Sequence, residues 1–185
     1  MLSKITGIVL AIFILFLSLT NLTYAQSWTQ LSPTGSTLTG RWGNTSVYDN
    51  NNQMIIFGGF GNAGGYPFIF NDIWVLSYAN GLGGTSSWTP LAPTGSIPTT
   101  RQFHSAVYDK NHNRMIIFGG SSENIDFELS TTYLNDVWVL SNANGLDTST
   151  SPWIQLSPNP DPTQTTNGYG GLPAPRGSHS AIMMR

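Results

Sequence analysis

Short apolar runs alternate with polar, turn-rich stretches along the whole chain. Met54 to Phe57, Ile73 to Leu76, Met115 to Phe118 and Val137 to Leu140 are rich in Ile, Val, Phe and Trp and bounded by Gly, Asn or Asp. That length and composition predict β-strands. Their apolar side chains fall at consecutive positions instead of alternating ones, which requires both faces of each strand to be covered. The intervening stretches of Gly, Asn, Ser, Thr and Pro are turn chemistry and not disorder, because bulky apolar residues return at a regular interval.

The interval is a repeat. Arg101-Gln102-Phe103-His104-Ser105-Ala106-Val107-Tyr108-Asp109 leads into Met115-Ile116-Ile117-Phe118-Gly119-Gly120 and then into Asn135-Asp136-Val137-Trp138-Val139-Leu140. Upstream the same order reads Arg41, Ser46-Val47-Tyr48-Asp49, Met54-Ile55-Ile56-Phe57-Gly58-Gly59 and Asn71-Asp72-Ile73-Trp74-Val75-Leu76. A third copy opens at Arg176-Gly177-Ser178-His179-Ser180-Ala181-Ile182. Periods of this size predict a propeller or a solenoid.

Each repeat is expected to hold four strands: Ser105 to Tyr108, Met115 to Phe118, Val137 to Leu140 and Trp153 to Leu156. The Trp-x-x-Leu spacing of the fourth recurs at Trp28 to Leu31 and Trp88 to Leu91. Gly58-Gly59 and Gly119-Gly120 are expected to end the second strand sharply, since glycine reaches backbone angles closed to other residues. Asn80-Gly81 and Asn144-Gly145 mark the turn between strands three and four.

Taken in that order, these elements resemble the kelch-repeat β-propellers, and the resemblance covers nearly all of residues 26 to 185. It implies an all-β fold of kelch-type blades, each of four antiparallel strands, usually six or seven to a ring, with ligands taken by loops on one face. The spacing departs from the family's repeat of about 50 residues, for Trp28 and Trp88 stand 60 positions apart and Trp88 and Trp153 stand 65 apart. About two and a half blades of an incomplete propeller are expected: repeats at roughly 41–91 and 101–156, and a third starting at 176. The strand around Trp28 looks like the family's ring-closing strand. The chain therefore reads as a fragment whose partners include the missing blades of its own parent.

Lys4, the apolar run Ile5 to Leu19 and Thr23-Tyr24-Ala25 read as a signal peptide over residues 1–25, cleaved after Ala25,. Its apolar centre is shorter than the roughly 20 residues of a spanning helix, so no stable membrane span is expected after cleavage. The product is expected to be secreted or held at the cell surface. The chain has no cysteine, which excludes disulfides and Cys-ligated metals. It also excludes the copper-radical cofactor of some kelch-fold oxidases, built on a tyrosine cross-linked to cysteine. Charged residues make up 9% of the chain, against about 25% in an average domain, and no basic patch is present. Nucleic acid is accordingly not an expected partner. No cofactor is expected either, for the chain has no Gly-rich phosphate loop and no Gly-x-Ser-x-Gly elbow.

Repetition sorts the candidate residues. Trp28, Trp88, Trp153, Trp74 and Trp138 recur at equivalent sites and are expected in the core. His104 and His179 share one position, where Asn44 stands in the first copy. A catalytic group is needed once and a structural one in every blade, so both are expected to cap the turn between blades. Arg41, Arg101 and Arg176 admit two readings: a ring of guanidinium groups that binds a carboxylate bidentately, or structural bonds to loop carbonyls. Asp72, Asp136, Asp49 and Asp109 are expected to form turns through local backbone. No pair of carboxylates stands out as a glycosidase pair.

Positions that break the repeat carry more information about ligands. Trp42 stands where the other copies have Gln102 and Gly177. The loop after Gly59 is aromatic, with Tyr66, Phe68 and Phe70, and the loop after Gly120 is acidic, with Glu123, Asp126 and Glu128. Variable loops on a rigid scaffold are where binding resides. Asn44-Thr45-Ser46 is a formal glycosylation acceptor, but it opens a first strand, where a glycan would clash with blade packing. The expected function is that of a secreted, non-enzymatic module that binds a protein or a glycan through its loops. Two alternatives stand beside it: part of an extracellular carbohydrate-active enzyme with an axial site of arginines and histidines, and a structural module of a cell-surface protein.

Overall fold

A computed structural model describes residues 28–123, 131–147, 150–156 and 173–183. The expected leader, Asp126 and Glu128 lie outside the described residues, as does the side chain of Glu123. The fold is that of Leu31–Arg185; Met1–Gln30 is a separate unit. All eleven described elements are strands. The first sheet holds β1 (Thr34–Gly35), β2 (Arg41–Trp42), β3 (Thr45–Tyr48), β4 (Met54–Ala63), β5 (Tyr66–Ser77) and β6 (Ser87–Leu91). The second holds β7 (Thr94–Gly95), β8 (Ser105–Asp109), β9 (Arg114–Glu123), β10 (Thr131–Ser141) and β11 (Pro152–Leu156).

Each sheet is a four-stranded antiparallel meander with one short extra strand on its outer edge, and the first also carries the two-residue β2 paired with β4. β3, β4, β5 and β6 pair in succession in the first blade, and β8, β9, β10 and β11 in the second. β1 runs parallel to β6, and β7 runs parallel to β11. These two-residue hooks were not foreseen, although Pro-Thr-Gly-Ser occurs at both 33–36 and 93–96. The chain that leaves the outer strand of blade one therefore first lines the outer edge of blade two.

The core lies between the blades. Val47, Ile55, Phe57, Ile73 and Val75 of the first pack against Met115, Ile117, Trp138, Leu140 and Trp153 of the second. These residues alternate along their strands, as the period of two requires. Ile56 and Leu76, on the other face of blade one, are buried as well. On the far face of blade two Val107, Ile116, Phe118 and Val137 are half-buried. Leu31 reaches to 3.1 Å from where a Cβ on Gly81 would lie, and Leu91 stands in the same relation to Gly145 at 3.0 Å. The approach to blade one thus repeats the approach to blade two.

Three expectations need correction. The Gly-Gly pairs bend their strands without ending them: the register shifts between Phe57 and Gly59, and pairing then resumes from Gly59↔Phe70 to Ala63↔Tyr66. Positive φ at Gly58 (65°) and Gly59 (98°) makes a bulge there, and a bulge redirects a strand. Trp28 is fully exposed and lies in no strand. The fourth-strand places of both sheets are filled by β6 and β11, so among the described residues there is no sheet for Trp28 to join. Ser180 to Ile182 form no strand either.

Candidate functional site

The repeated polar residues meet inside each blade and spend themselves on one another. Arg101 donates from Nη1 and Nη2 to Asp136 Oδ1 and Oδ2 at 2.7 and 2.9 Å, and from Nη1 to the Gly119 carbonyl at 3.0 Å. Its Nε donates to the Thr99 carbonyl, and Trp138 Nε1 donates to Asp136 Oδ2 at 2.7 Å. Blade one repeats the set with Arg41, Asp72, Gly58, Thr39 and Trp74. Asp72 and Asp136 are therefore not local turn formers. A guanidinium as buried as that of Arg101, at 0% exposure, needs a counter-charge, and the Asn-Asp pair supplies it. Burial alone would raise the pKa of Asp136, but hydrogen bonds from Arg101 and its charge outweigh burial and hold it below the carboxylate range. Arg176 is exposed, and its Nε donates to the Ala174 carbonyl.

The histidines join one blade to the next. His104 Nε2 lies 2.6 Å from Thr45 Oγ1, and its ring meets Phe57 edge-on at 5.3 Å. His179 repeats both contacts on blade two, 2.9 Å from Ser105 Oγ and 4.9 Å from the Phe118 ring. Burial first, then Arg101 and His179, push the pKa of His104 down to about 3. Its Nδ1 has no hydrogen-bond partner, so a proton there would be buried unpaired. The imidazole is a neutral wedge. Beside it, Gly59 N–H donates to the Arg101 carbonyl at 2.9 Å and Gly120 N–H to the Arg176 carbonyl at 2.8 Å. Asp49 and Asp109 accept from the amides of Asn51 and Asn111. Asp49 also accepts from Asn144 Nδ2 of blade two at 3.2 Å.

What is left for a ligand stands at the end of the blades that carries the β4–β5 turn and the entries to the first strands. Trp42 pairs with Phe60 across β2 and β4. Its ring lies 5.0 Å from that of Phe60 and 5.5 Å from that of Phe103, tilted by 58° and 53°. Trp42 is 54% exposed and Phe103 37%. Phe103 and Tyr133 both flank Gly177, which carries the line of rings toward the third repeat. Phe68 and Phe70 lie on the opposite face of blade one, by the alternation of side chains in β5,. Phe70 is buried with Arg41 over its ring at 4.0 Å, and Phe68 and Tyr66 are exposed. Glu123 ends β9. Trp74 and Trp88 are half-buried, and Trp138 and Trp153 are in the core.

Phe103 escaped the sequence reading. Its φ is +57°, and the same repeat position holds Gly43 at +66° and Ser178 at +55°. The three are linked in series, Phe103 N–H to the Gly43 carbonyl at 2.7 Å and Ser178 N–H to the Phe103 carbonyl at 2.8 Å. A left-handed conformation costs an L-residue about 1–2 kcal/mol, and for a bulky one it is a true outlier. A large aromatic residue where the other copies carry Gly and Ser was the available signal.

At the other end a cleft between the blades is lined by Gln53, Val75, Thr89, Leu91, Asn144 and Leu146. Its volume, about 260 Å³, falls below the roughly 300–1,000 Å³ of ligand pockets. Among the described residues no three His, Asp or Glu side chains gather as metal ligands, and no helix is long and apolar enough to cross a membrane.

The KLHDC2/KLHL20/DRC7 kelch-repeats domain matches residues 15–185. The chain belongs to this kelch-repeat family. An Adagio-like protein 3 from Oryza sativa subsp. japonica is 31% identical over 98 residues, which cover 53% of this chain and 14% of that protein. The solved structure of YjhT aligns with a TM-score of 0.42 at 20% identity, over 68% of this chain and 29% of its own. The chain thus spans less than a third of either relative. Its two sheets are kelch blades of an incomplete propeller, and kelch propellers are protein-interaction modules.

Proposed function

We propose that this kelch-repeat chain is an exported, non-enzymatic protein-binding module whose partner docks at the end of the blades that carries Trp42, Phe103, Tyr66 and Phe68. The observation that carries this reading is the division of labour among its residues. The repeated Arg41, Arg101 and His104 are occupied within and between blades, whereas the repeat-breaking rings of Trp42 and Phe103 are turned to solvent at one end. An axial enzyme site made from those arginines and histidines would need groups already committed to Asp72, Asp136 and Thr45. The exposed rings would also suit a neutral glycan, which is the second reading.

A photo-crosslinking residue at Tyr66 tests the docking end, with one at Leu82, exposed in the turn at the opposite end, as control. Protein adducts are expected from position 66 and not from 82. Adducts from 82 alone would reverse the assignment of the binding end. Export is tested by the N-terminal mass of the secreted product, expected to begin at Gln26. A membrane-held form that still begins at Met1 would refute it.

A further inference from the structure

Building on the protein-binding reading, we infer that Trp42 and Phe103 form an anchor for an uncharged, proline-rich extended segment of the partner. Three features of this one place define the ligand. The first is the backbone of Phe103. Gly43 and Ser178 hold the same left-handed position in the other repeats, so the fold needs a permissive residue there and not an aromatic ring. A strained bulky residue retained against that alternative points to use of the side chain.

The second is charge. The guanidinium groups of Arg41 and Arg101, at this end of the two blades, are held by both oxygens of Asp72 and Asp136 and are buried. Neither can be offered to a phosphate or a carboxylate. Arg176, next to Gly177, is exposed, which makes salt dependence a useful discriminator. The third is the shape and polarity of the rings. Trp42 and Phe103 meet at 53°, so they make a bent apolar corner and not the flat floor on which a sugar ring would lie. Trp42 also brings an indole N–H, a donor only, on a half-exposed ring. A polyproline II segment matches this: its side chains are uncharged rings, and its carbonyls have no internal hydrogen bonds and are open to a donor.

The test uses the full chain and a fluorescein-labelled decaproline peptide, followed by fluorescence anisotropy. The variants are Trp42→Gln and Phe103→Gly, each a residue that another repeat already carries at that position, with Leu82→Ala as control. Each is expected to weaken binding by about tenfold or more, as loss of a central aromatic contact does. Melting temperature should stay near that of the parent, Leu82→Ala should leave affinity unchanged, and affinity should barely respond to salt. A parent chain that ignores decaproline overturns the inference, as does one whose binding survives both substitutions or collapses with salt. Should chitohexaose or cellohexaose bind the parent and lose affinity in the variants, the corner takes a glycan and the proposal is wrong. Photo-crosslinking to a protein at position 66, with decaproline ignored, would reject the proline-rich segment and leave the interaction module standing.

Discussion

Asp136→Ala is expected to destabilise the chain more than Asp72→Ala, although both remove the same member of the same repeated clasp. Removing one partner of a buried ion pair costs about 3–5 kcal/mol, because the surviving charge is stranded. The side chains of Arg101 and Asp136 are 0% and 20% exposed, and those of Arg41 and Asp72 are 4% and 39% exposed. Water already screens the Asp72 carboxylate, so its loss is expected to cost roughly half as much. With a urea slope of about 2 kcal/mol per M, the unfolding midpoint should fall by about 2 M for Asp136→Ala and about 1 M for Asp72→Ala. Trp138 and Trp74 each also lose the acceptor of their indole N–H, which adds to both figures and leaves their order unchanged. Urea unfolding followed by tryptophan emission at one matched protein concentration measures both. The double variant Arg101→Met/Asp136→Leu should recover much of the loss, since an apolar pair strands no charge. Equal midpoints for the two single variants would refute the burial argument. Loss of partner binding at an unchanged midpoint would make the guanidinium a ligand clamp.

Gly120→Ala would place a Cβ 2.7 Å from the Gln102 carbonyl at a φ of +99°, whereas Gly64→Ala has a φ of +62° and no atom within 4 Å. The first is expected to cost about 3 kcal/mol from strain and crowding together and the second about 1 kcal/mol from strain alone; equal losses in thermal melts would contradict the bulge account. His104 is held near a pKa of 3, below its unfolded value of about 6.5. The stability it contributes is therefore fully present above about pH 6.5 and is lost as pH falls toward 3, by up to about 1.4 kcal/mol per pH unit. His104→Gln should flatten that acid limb, and an imidazole NMR titration centred near 6.5 would disprove the burial. Residues 26–185 expressed alone are expected to self-associate through the far face of blade two, where Val107, Ile116, Phe118 and Val137 are only half-covered,. Light scattering from a monodisperse monomer would contradict this.

The blades were legible in the sequence because their strands are apolar on both faces and return in a fixed order. The Met-Ile-Ile-Phe and Trp-Val-Leu runs admit little else once their neighbours are Gly-Gly and Asn-Asp. The partner of each Asp was not legible. Asp72 lies 31 positions from Arg41, and Asp136 lies 35 from Arg101, and only the closing of the meander brings them together. Spacing could not distinguish a turn carboxylate from a counter-ion for the same reason. Trp42 showed itself by breaking the pattern. Phe103 breaks it as well, an aromatic ring where the other copies carry Gly43 and Ser178, but what makes the break telling is a backbone angle the sequence does not display.

The parallel hooks β1 and β7 bear on how the chain emerges from the ribosome. The outer strand of each blade is an edge, and unpaired edges recruit other strands. Here each edge is closed by residues that come earlier in the chain than the strand they close: Thr34–Gly35 precedes β6, and Thr94–Gly95 precedes β11. During synthesis from the N-terminus, the cover is exposed before the strand that needs it has been made. Each outer strand can meet its guard on arrival, so the interval in which a nascent blade could pair with a neighbouring chain is short.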